Sequence, residues 1–151
     1  MSRPQRLRSF AYPGSFAYSL TMCTAGREQR FVSPAIVTCV LEQLLRTATD
    51  YLMAVLAYCF IPDHLHLLLQ GLDDSAGLPR FTKVFRQRAA IEYRRRTGER
   101  LWQPGYYECT LRCEDNLALT ATYIAANPVR AGLAAAIDQW TFTGGVLLKE
   151  R

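Results

Sequence analysis

The chain lacks the features that mark membrane, secreted and disordered proteins. No apolar run approaches the roughly 20 residues that a membrane span needs. The basic start, residues 1–8, has no apolar stretch of the kind found in a signal peptide. Five cysteines, an odd number, suit free thiols in a reducing compartment. Charged residues make up 21% and hydrophobic residues 50%, which excludes a disordered chain. We therefore expect a globular cytoplasmic protein.

Histidine is also scarce, since His64 and His66 are the only two. They lie in the run PDHLHLLLQ, residues 62–70. In a strand, alternate side chains share a face, so His64, His66, Leu68 and Gln70 would lie together. Two imidazoles side by side on a rigid strand can bind one metal ion. They can equally be polar residues on the outer face of a half-buried strand, and the spacing alone leaves both interpretations open.

Acidic residues are few between positions 80 and 100, where eight basic side chains and two acidic ones fall. The net charge of this segment is +6, against +5 for the whole chain. Seven of the eight are arginines, whose planar guanidinium suits bidentate phosphate contacts. The clustering favours a nucleic-acid contact over a solvated helix face. The candidate DNA-binding residues are Arg80, Lys83, Arg86, Arg88, Arg94, Arg95, Arg96 and Arg100.

Hydrophobic periodicity predicts an α+β fold. Strands are expected at 16–23, at 51–60, after the 61–63 turn and at 106–112, and helices at 34–48, 77–97 and 115–127. The order strand, helix, strand, strand, helix, strand is that of a ferredoxin-like split βαβ antiparallel sheet. In that layout the histidine strand lies in the middle of the sheet. We expect one domain over residues 1–151, with a basic arm at 1–15 and a weakly patterned tail at 134–151.

The last predicted helix has two different faces. Tyr123 and Asn127 are one turn apart on its polar face. An asparagine oxygen is a ligand for hard divalent cations, and a tyrosine can act as a covalent nucleophile. The alternative is an ordinary amphipathic helix in which Asn127 caps the end before Pro128. Its apolar stripe consists of Leu117, Ala121, Ile124 and Ala125.

Several motifs together resemble a known family. The run FIPDHLHLLL, residues 60–69, resembles the His-hydrophobe-His signature of the HUH endonucleases. The run YIAANPVRAGL, residues 123–133, resembles the catalytic-tyrosine segment of the REP-associated tyrosine transposases, which are single-tyrosine enzymes related to insertion-sequence transposases. The block LWQPGYYE, residues 101–108, and the opening, residues 3–24, also fit this family. The combination is specific, whereas the histidine pair alone would not be.

The resemblance implies a metal-dependent single-stranded DNA endonuclease and strand transferase. Its fold would be the HUH endonuclease sheet with helices on one face and a C-terminal helix that carries the tyrosine. His64, His66 and Asn127 would hold one Mg²⁺ or Mn²⁺. Tyr123 would attack a phosphodiester and form a 5′-phosphotyrosyl link. The implied partner is a REP-like DNA hairpin with a short flanking recognition tetranucleotide, bound as single-stranded DNA.

Two positions depart from the family pattern. Cys109 stands where the family often has histidine. The run WTFT, residues 140–143, stands where the family often has tryptophan followed by two serines. Neither position belongs to the four implied catalytic residues, so the departures bear on DNA contacts and local packing.

Other residues leave alternatives open. Glu108 is a candidate ligand or base, although a solvated strand glutamate is the simpler interpretation. Cys109 and Cys113 suggest zinc, but their spacing matches no usual zinc pair. The rival functions are a non-catalytic single-stranded DNA or RNA-binding module and a structural zinc domain. Candidates for base stacking, for which packing is an equal alternative, are Trp102, Tyr106 and Tyr107.

Overall fold

The described residues form a sheet of four long strands and one short strand, with helices packed on both faces. The computed structural model describes residues 16–73, 75–112 and 115–148, so the predicted arm at 1–15 lies outside the described residues. No helix in the described part of the chain has the length and apolar character to cross a membrane. The elements are β1 (Phe16–Cys23), α1 (Pro34–Asp50), β2 (Met53–Ile61), β3 (His64–Gly71), α2 (Leu78–Thr97), β4 (Tyr107–Arg112), α3 (Leu117–Ala125), α4 (Asn127–Arg130) and β5 (Thr143–Gly144).

Local signals set the ends of the two long helices. The Ser33 hydroxyl accepts a hydrogen bond from the Ile36 N–H, and Pro34 follows as the first helical residue of α1. The helix α2 ends before Gly98, which adopts the left-handed conformation (φ 76°) and donates its N–H to the Arg94 carbonyl. Both boundaries agree with the sequence prediction to within two residues.

The sheet has the strand order β4-β1-β3-β2-β5, and all neighbouring strands are antiparallel. The predicted ferredoxin-like arrangement is confirmed, and β3 lies in the centre of the sheet. His64 is paired with Cys23 of β1 and with Ile61 of β2. His66 is paired with Thr21 and Cys59 in the same way. The histidine strand is therefore held by hydrogen bonds on both edges.

The two sheet faces have different cover. On one face, which we call the helix face, Leu65, Leu67 and Leu69 pack with the buried side chains of α1 and α2, among them Phe81 and Phe85. The other face, which we call the histidine face, carries His64, His66, Leu68 and Gln70 of β3. There Leu68 belongs to a second buried cluster, which includes Ala121, Ile124 and Ala125 of α3. The helix that carries Tyr123 thus packs on the histidine face.

The predicted helix at 115–127 is shorter in the structure. It ends at Ala125, and Asn127 begins the separate four-residue helix α4. Pro128 lies in the first turn of α4, where its missing N–H would have no helical partner in any case. Pro128 therefore does mark a helix boundary, but it starts a second helix as well as ending the first.

The segment after Gly132 is weakly patterned in sequence, yet parts of residues 137–148 pack against the sheet. The Trp140 indole donates a hydrogen bond to the Phe60 carbonyl (2.8 Å), and β5 pairs with β2 at Tyr58 and Cys59. Gly145 approaches β2 so closely that an added Cβ would lie 2.6 Å from the Ala57 Cα. This short fifth strand was missed by the sequence prediction.

Candidate active site

The two histidines are direct neighbours on the histidine face. Their ring centroids are 4.6 Å apart and the ring planes are perpendicular. Both rings are partly buried. Because the pair sits on the central strand, the backbone under both imidazoles is fixed by hydrogen bonds to β1 and β2. The sequence prediction that alternation brings both rings to one face is realised in this register.

Each imidazole is oriented through its Nδ1 atom. Nδ1 of His64 lies 2.7 Å from Oδ1 of Asp63, and Nδ1 of His66 lies 3.1 Å from Oγ1 of Thr21. A carboxylate only accepts, so the Asp63 contact places a proton on Nδ1 of His64. Nε2 of each ring has no such contact among the described residues, so it is the ring nitrogen open to a metal ion. Metal-binding histidines are commonly held in this manner by a carboxylate or another oxygen on the opposite ring nitrogen.

Burial, together with the charges of His64 and Arg130, lowers the pKa of His66 from 6.5 to about 4. His66 is therefore neutral at pH 7 and has a lone pair for a metal ion. Burial alone would raise the pKa of Asp63, but the hydrogen bond from His64 and the charge of Arg27 outweigh it and lower the pKa. The ionised carboxylate is thus kept beside His64.

The turn before β3 is held by a loop from the end of β1. The Arg27 guanidinium donates from Nε and Nη2 to Oδ2 of Asp63, at 3.2 and 3.0 Å. The Asp63 carbonyl accepts from both the N–H and the hydroxyl of Thr24. Arg27 adopts a positive φ of 55°, an unusual conformation for a residue other than glycine. The sequence prediction missed four supporting residues: Thr21, Thr24, Arg27 and Asp63. The first three lie far from the histidines in sequence, and Asp63, next to His64, was assigned only to the turn.

Tyr123 lies on the exposed side of α3, with 63% of its surface accessible. It is neither in the core nor on the helix face. The Arg130 guanidinium lies 3.7 Å from the centroid of the Tyr123 ring, and its Nη1 donates to the Tyr123 carbonyl at 2.9 Å. The hydroxyl is therefore reachable from solvent, while one side of the ring is covered by a cation.

Asn127 opens α4, which contacts β2 beside the histidine strand. Its side chain is partly buried and has no hydrogen-bond partner among the described residues. No three histidine, cysteine, aspartate or glutamate side chains of the described residues come together as a metal site. The third ligand that the family resemblance implies is the amide of Asn127. That the three side chains converge on one point stays a prediction.

The zinc candidates are not assembled among the described residues. Cys109 is an exposed free thiol on β4, two strands away from β3, and Cys113 lies outside the described residues. Glu108 pairs with Leu20, whose side chain belongs to the helix-face core. Because paired residues share a face, Glu108 lies on the side of the sheet away from His64 and His66. The candidate role of Glu108 as a ligand or base for this pair is therefore wrong.

The basic helix α2 packs on the helix face, so the structure separates it from the histidine pair. Two of its arginines serve the fold. Arg86 donates to the carbonyls of Gln103 and Gly105 (both 2.6 Å), and Arg88 bonds Thr47 and Asp50 of α1. Arg86 and Arg88 thus have structural roles in the fold, and their contact with DNA stays a prediction. The exposed candidates are Arg80, Lys83, Arg94, Arg95, Arg96 and Arg100.

The three aromatic candidates have different surroundings. Trp102 is only 6% exposed, packs against Phe31 and Phe85, and has no open ring face, so its candidate stacking role is wrong. Tyr106 is partly buried, and its hydroxyl bonds Thr82. Tyr107 is 68% exposed and pairs with Thr21, which places it on the histidine face in one row with His66. Tyr107 is the member of the three that is available to a DNA base on this face.

Comparison with known proteins identifies the class to which this fold and site belong. Residues 14–127 match the family described as IS200-like transposases, and the chain belongs to this family. The resemblance to the tyrosine transposases is thereby confirmed. A Haemophilus influenzae protein provisionally named a REP-associated tyrosine transposase is 28% identical over 109 residues, which are 65% of this chain. The matched part spans 62% of that relative's length.

Two solved structures share the fold. One is a REP-associated tyrosine transposase bound to a REP hairpin, with a TM-score of 0.72 at 17% identity; the match covers 95% of this chain and 82% of that one. The other is a Deinococcus radiodurans R1 protein provisionally described as a transposase, with a TM-score of 0.57 at 22% identity. That match covers 90% of this chain and all of the other. Both likenesses establish the α+β fold.

Proposed function

We propose that this protein is a divalent-metal-dependent endonuclease and strand transferase that cuts single-stranded DNA at REP-like hairpins. One observation carries the proposal. Two imidazoles with engaged Nδ1 atoms lie on the same sheet face as the helix that bears the exposed Tyr123. Membership of the IS200-like transposases supports DNA processing, and the fold shared with a hairpin-bound transposase supports the hairpin substrate.

The donor set fits Mg²⁺ or Mn²⁺. Nε2 of His64 and of His66 and the side-chain oxygen of Asn127 would hold the ion. Thr21 and Asp63 keep the two imidazoles oriented, and the low pKa of His66 keeps that ligand neutral. Two imidazoles and one amide leave room for phosphate oxygens. When bound, the ion supplies positive charge that orients the phosphate and neutralises the charge that develops on it.

Tyr123 would carry out the covalent step. Its oxygen forms a bond to phosphorus while the bond from phosphorus to the 3′-oxygen breaks. The tyrosine proton passes to a base in solution, and the departing 3′-oxygen takes up a proton. The 5′-phosphotyrosyl link retains the energy of the phosphodiester. A later 3′-hydroxyl can therefore attack this link and join a new strand without ATP.

The remaining parts of the proposal concern the rest of the chain. We infer that residues 1–151 act as one domain in the cytoplasm, which agrees with the free thiols of the described cysteines. The exposed basic residues of α2 and its C-terminal end would contact DNA phosphates away from the cleavage site. Tyr107 would stack on a base on the histidine face.

The test is trapping of the covalent adduct. A single-stranded hairpin DNA labelled at its 3′ end is incubated with the protein and Mn²⁺, and an SDS-stable, labelled protein band is expected. Y123F should form no adduct, whereas Y107F, which removes a similarly exposed tyrosine hydroxyl from the same sheet face, should form it normally. EDTA should prevent adduct formation. Hairpin binding that survives EDTA and Y123F, with no adduct from the unaltered protein, would identify a non-catalytic binding module instead.

A further inference from the structure

Arg130 contacts Tyr123 at two points. Its guanidinium carbon lies 3.7 Å from the ring centroid, and its Nη1 donates to the Tyr123 carbonyl at 2.9 Å. A planar guanidinium can hold a backbone oxygen with one nitrogen while its flat face lies on an aromatic ring, and an ammonium group cannot do both. The pairing thus uses the particular shape of arginine.

Tyr123 has few other restraints. Its ring is 63% exposed, and α3 is anchored by Ala121, Ile124 and Ala125 on the opposite side of the helix. Core packing therefore holds the helix but leaves the Tyr123 ring free to change rotamer. Tyr107, which is 68% exposed, has no guanidinium over its ring among the described residues. Arg130 is thus the described side chain that restrains the orientation of the Tyr123 ring.

We propose that Arg130 is a positioning residue that holds the Tyr123 side chain in the orientation required for attack on the DNA phosphate. The proposal rests on the proposed function, because it assigns a role around the same nucleophile.

Two other roles for Arg130 make different predictions. If Arg130 served only to bind a DNA phosphate, its removal would weaken DNA binding and flatten the salt dependence of binding. If it served only to stabilise α4, its removal would lower the free energy of unfolding. A positioning role predicts a slower reaction with nearly unchanged binding and stability, because only the alignment of the nucleophile is lost.

The first experiment needs neither DNA nor metal. Tyr123 and Tyr107 are iodinated under limiting reagent, and the modification of each is measured by mass spectrometry. In R130Q the reactivity of Tyr123 relative to Tyr107 should rise about two- to fivefold, the range set by loss of one exposed cation–π contact. R130K should restore part of the protection. The control R46Q, which removes an exposed charge from α1, should leave the ratio unchanged. An unchanged ratio in R130Q would overturn the proposal.

The second experiment measures cleavage. In single-turnover assays with the hairpin and Mn²⁺, R130Q should cut about 10- to 100-fold more slowly, as expected for a misaligned nucleophile. Its affinity for uncleaved hairpin, measured in a Y123F background, should change less than about threefold. Normal cleavage by R130Q, or a parallel loss of affinity or thermal stability, would overturn the positioning role. If the unaltered protein forms no adduct, the proposed function fails, while the iodination result still decides whether Arg130 restrains Tyr123.

Discussion

Oγ1 of Thr21 on β1 lies 3.1 Å from Nδ1 of His66 on the neighbouring strand β3. The two residues are 45 positions apart in sequence. This contact orients the His66 imidazole and leaves its Nε2 open to a metal ion. A threonine on the neighbouring strand is therefore part of the candidate metal site, although it need not touch the metal ion.

Removing the Thr21 hydroxyl should weaken metal binding. T21V keeps the size and branching of the side chain, so the fold should persist, whereas loss of an outer hydrogen bond of this kind lowers metal affinity by about 10- to 100-fold. Titration calorimetry with Mn²⁺ in the presence of the hairpin DNA measures the change. T21S, which retains a hydroxyl, is the matched control. Equal Mn²⁺ affinity in T21V and the unaltered protein would contradict this role.

The low pKa of His66 predicts a loss of stability in acid. In the folded chain the pKa falls from the ordinary 6.5 to about 4. Between these values the unfolded chain binds a proton that the folded chain does not, so the unfolding free energy decreases as the pH falls from about 6.5 to about 4. The loss should amount to roughly 1–3 kcal/mol.

H66Q removes this titration while keeping a polar side chain. Urea unfolding of both proteins between pH 4 and pH 7 gives the difference in unfolding free energy at each pH. The unaltered protein should lose its advantage over H66Q as the medium becomes acidic. A difference that stays constant with pH would show that His66 titrates normally in the folded state.

The exposed arginines at the end of α2 are expected to contact DNA phosphates. R94Q/R95Q/R96Q should weaken binding to all single strands, and each lost contact should reduce the slope of log affinity against log salt by about 0.7. Cleavage of DNA that is already bound should continue, because α2 lies on the helix face. Fluorescence anisotropy at several salt concentrations tests this. An unchanged slope would mean that these side chains are a solvated face and that the DNA path lies elsewhere.

Tyr107 is expected to stack on a DNA base beside the histidine pair. Y107A should reduce the free energy of single-strand binding by about 1–3 kcal/mol, the range for one lost base–aromatic contact. Y107F keeps the ring and should bind as the unaltered protein does. Equilibrium binding of the hairpin without metal separates this effect from cleavage. If Y107A binds with full affinity, the exposed ring makes no contact with the substrate.

The main elements could be predicted because their signals are local. The alternation around His64 and His66, the cap at Ser33 and the stop at Gly98 each lie within a few residues of the element that they define. β5 could not be predicted in this way. It is only two residues long, and it exists because Gly144 and Gly145 allow close approach to a strand more than 80 residues earlier.

The site was predictable to a similar degree. The histidine pair, the tyrosine and the asparagine were suggested by spacing and by family resemblance. Their supporting residues were not, because the contact of Thr21 depends on strand register and that of Arg27 on a left-handed turn. The cluster of basic residues also could not reveal that Arg86 and Arg88 bond to the protein itself, because an exposed arginine and an internally bonded one look the same in the sequence.

The two halves of the candidate site should differ in their hydrogen exchange. Amides of β3 are bonded on both edges in the middle of the sheet, so their protons should exchange only when the whole fold opens. Amides of α3 and α4 should exchange through local opening, since these short helices rest on the sheet through few buried side chains. Under the proposed function, a Tyr123 that carries a DNA end would then swing away and return while the histidine pair keeps its shape. This difference in local stability would suit the proposed strand transfer, in which one strand is held and later joined to another.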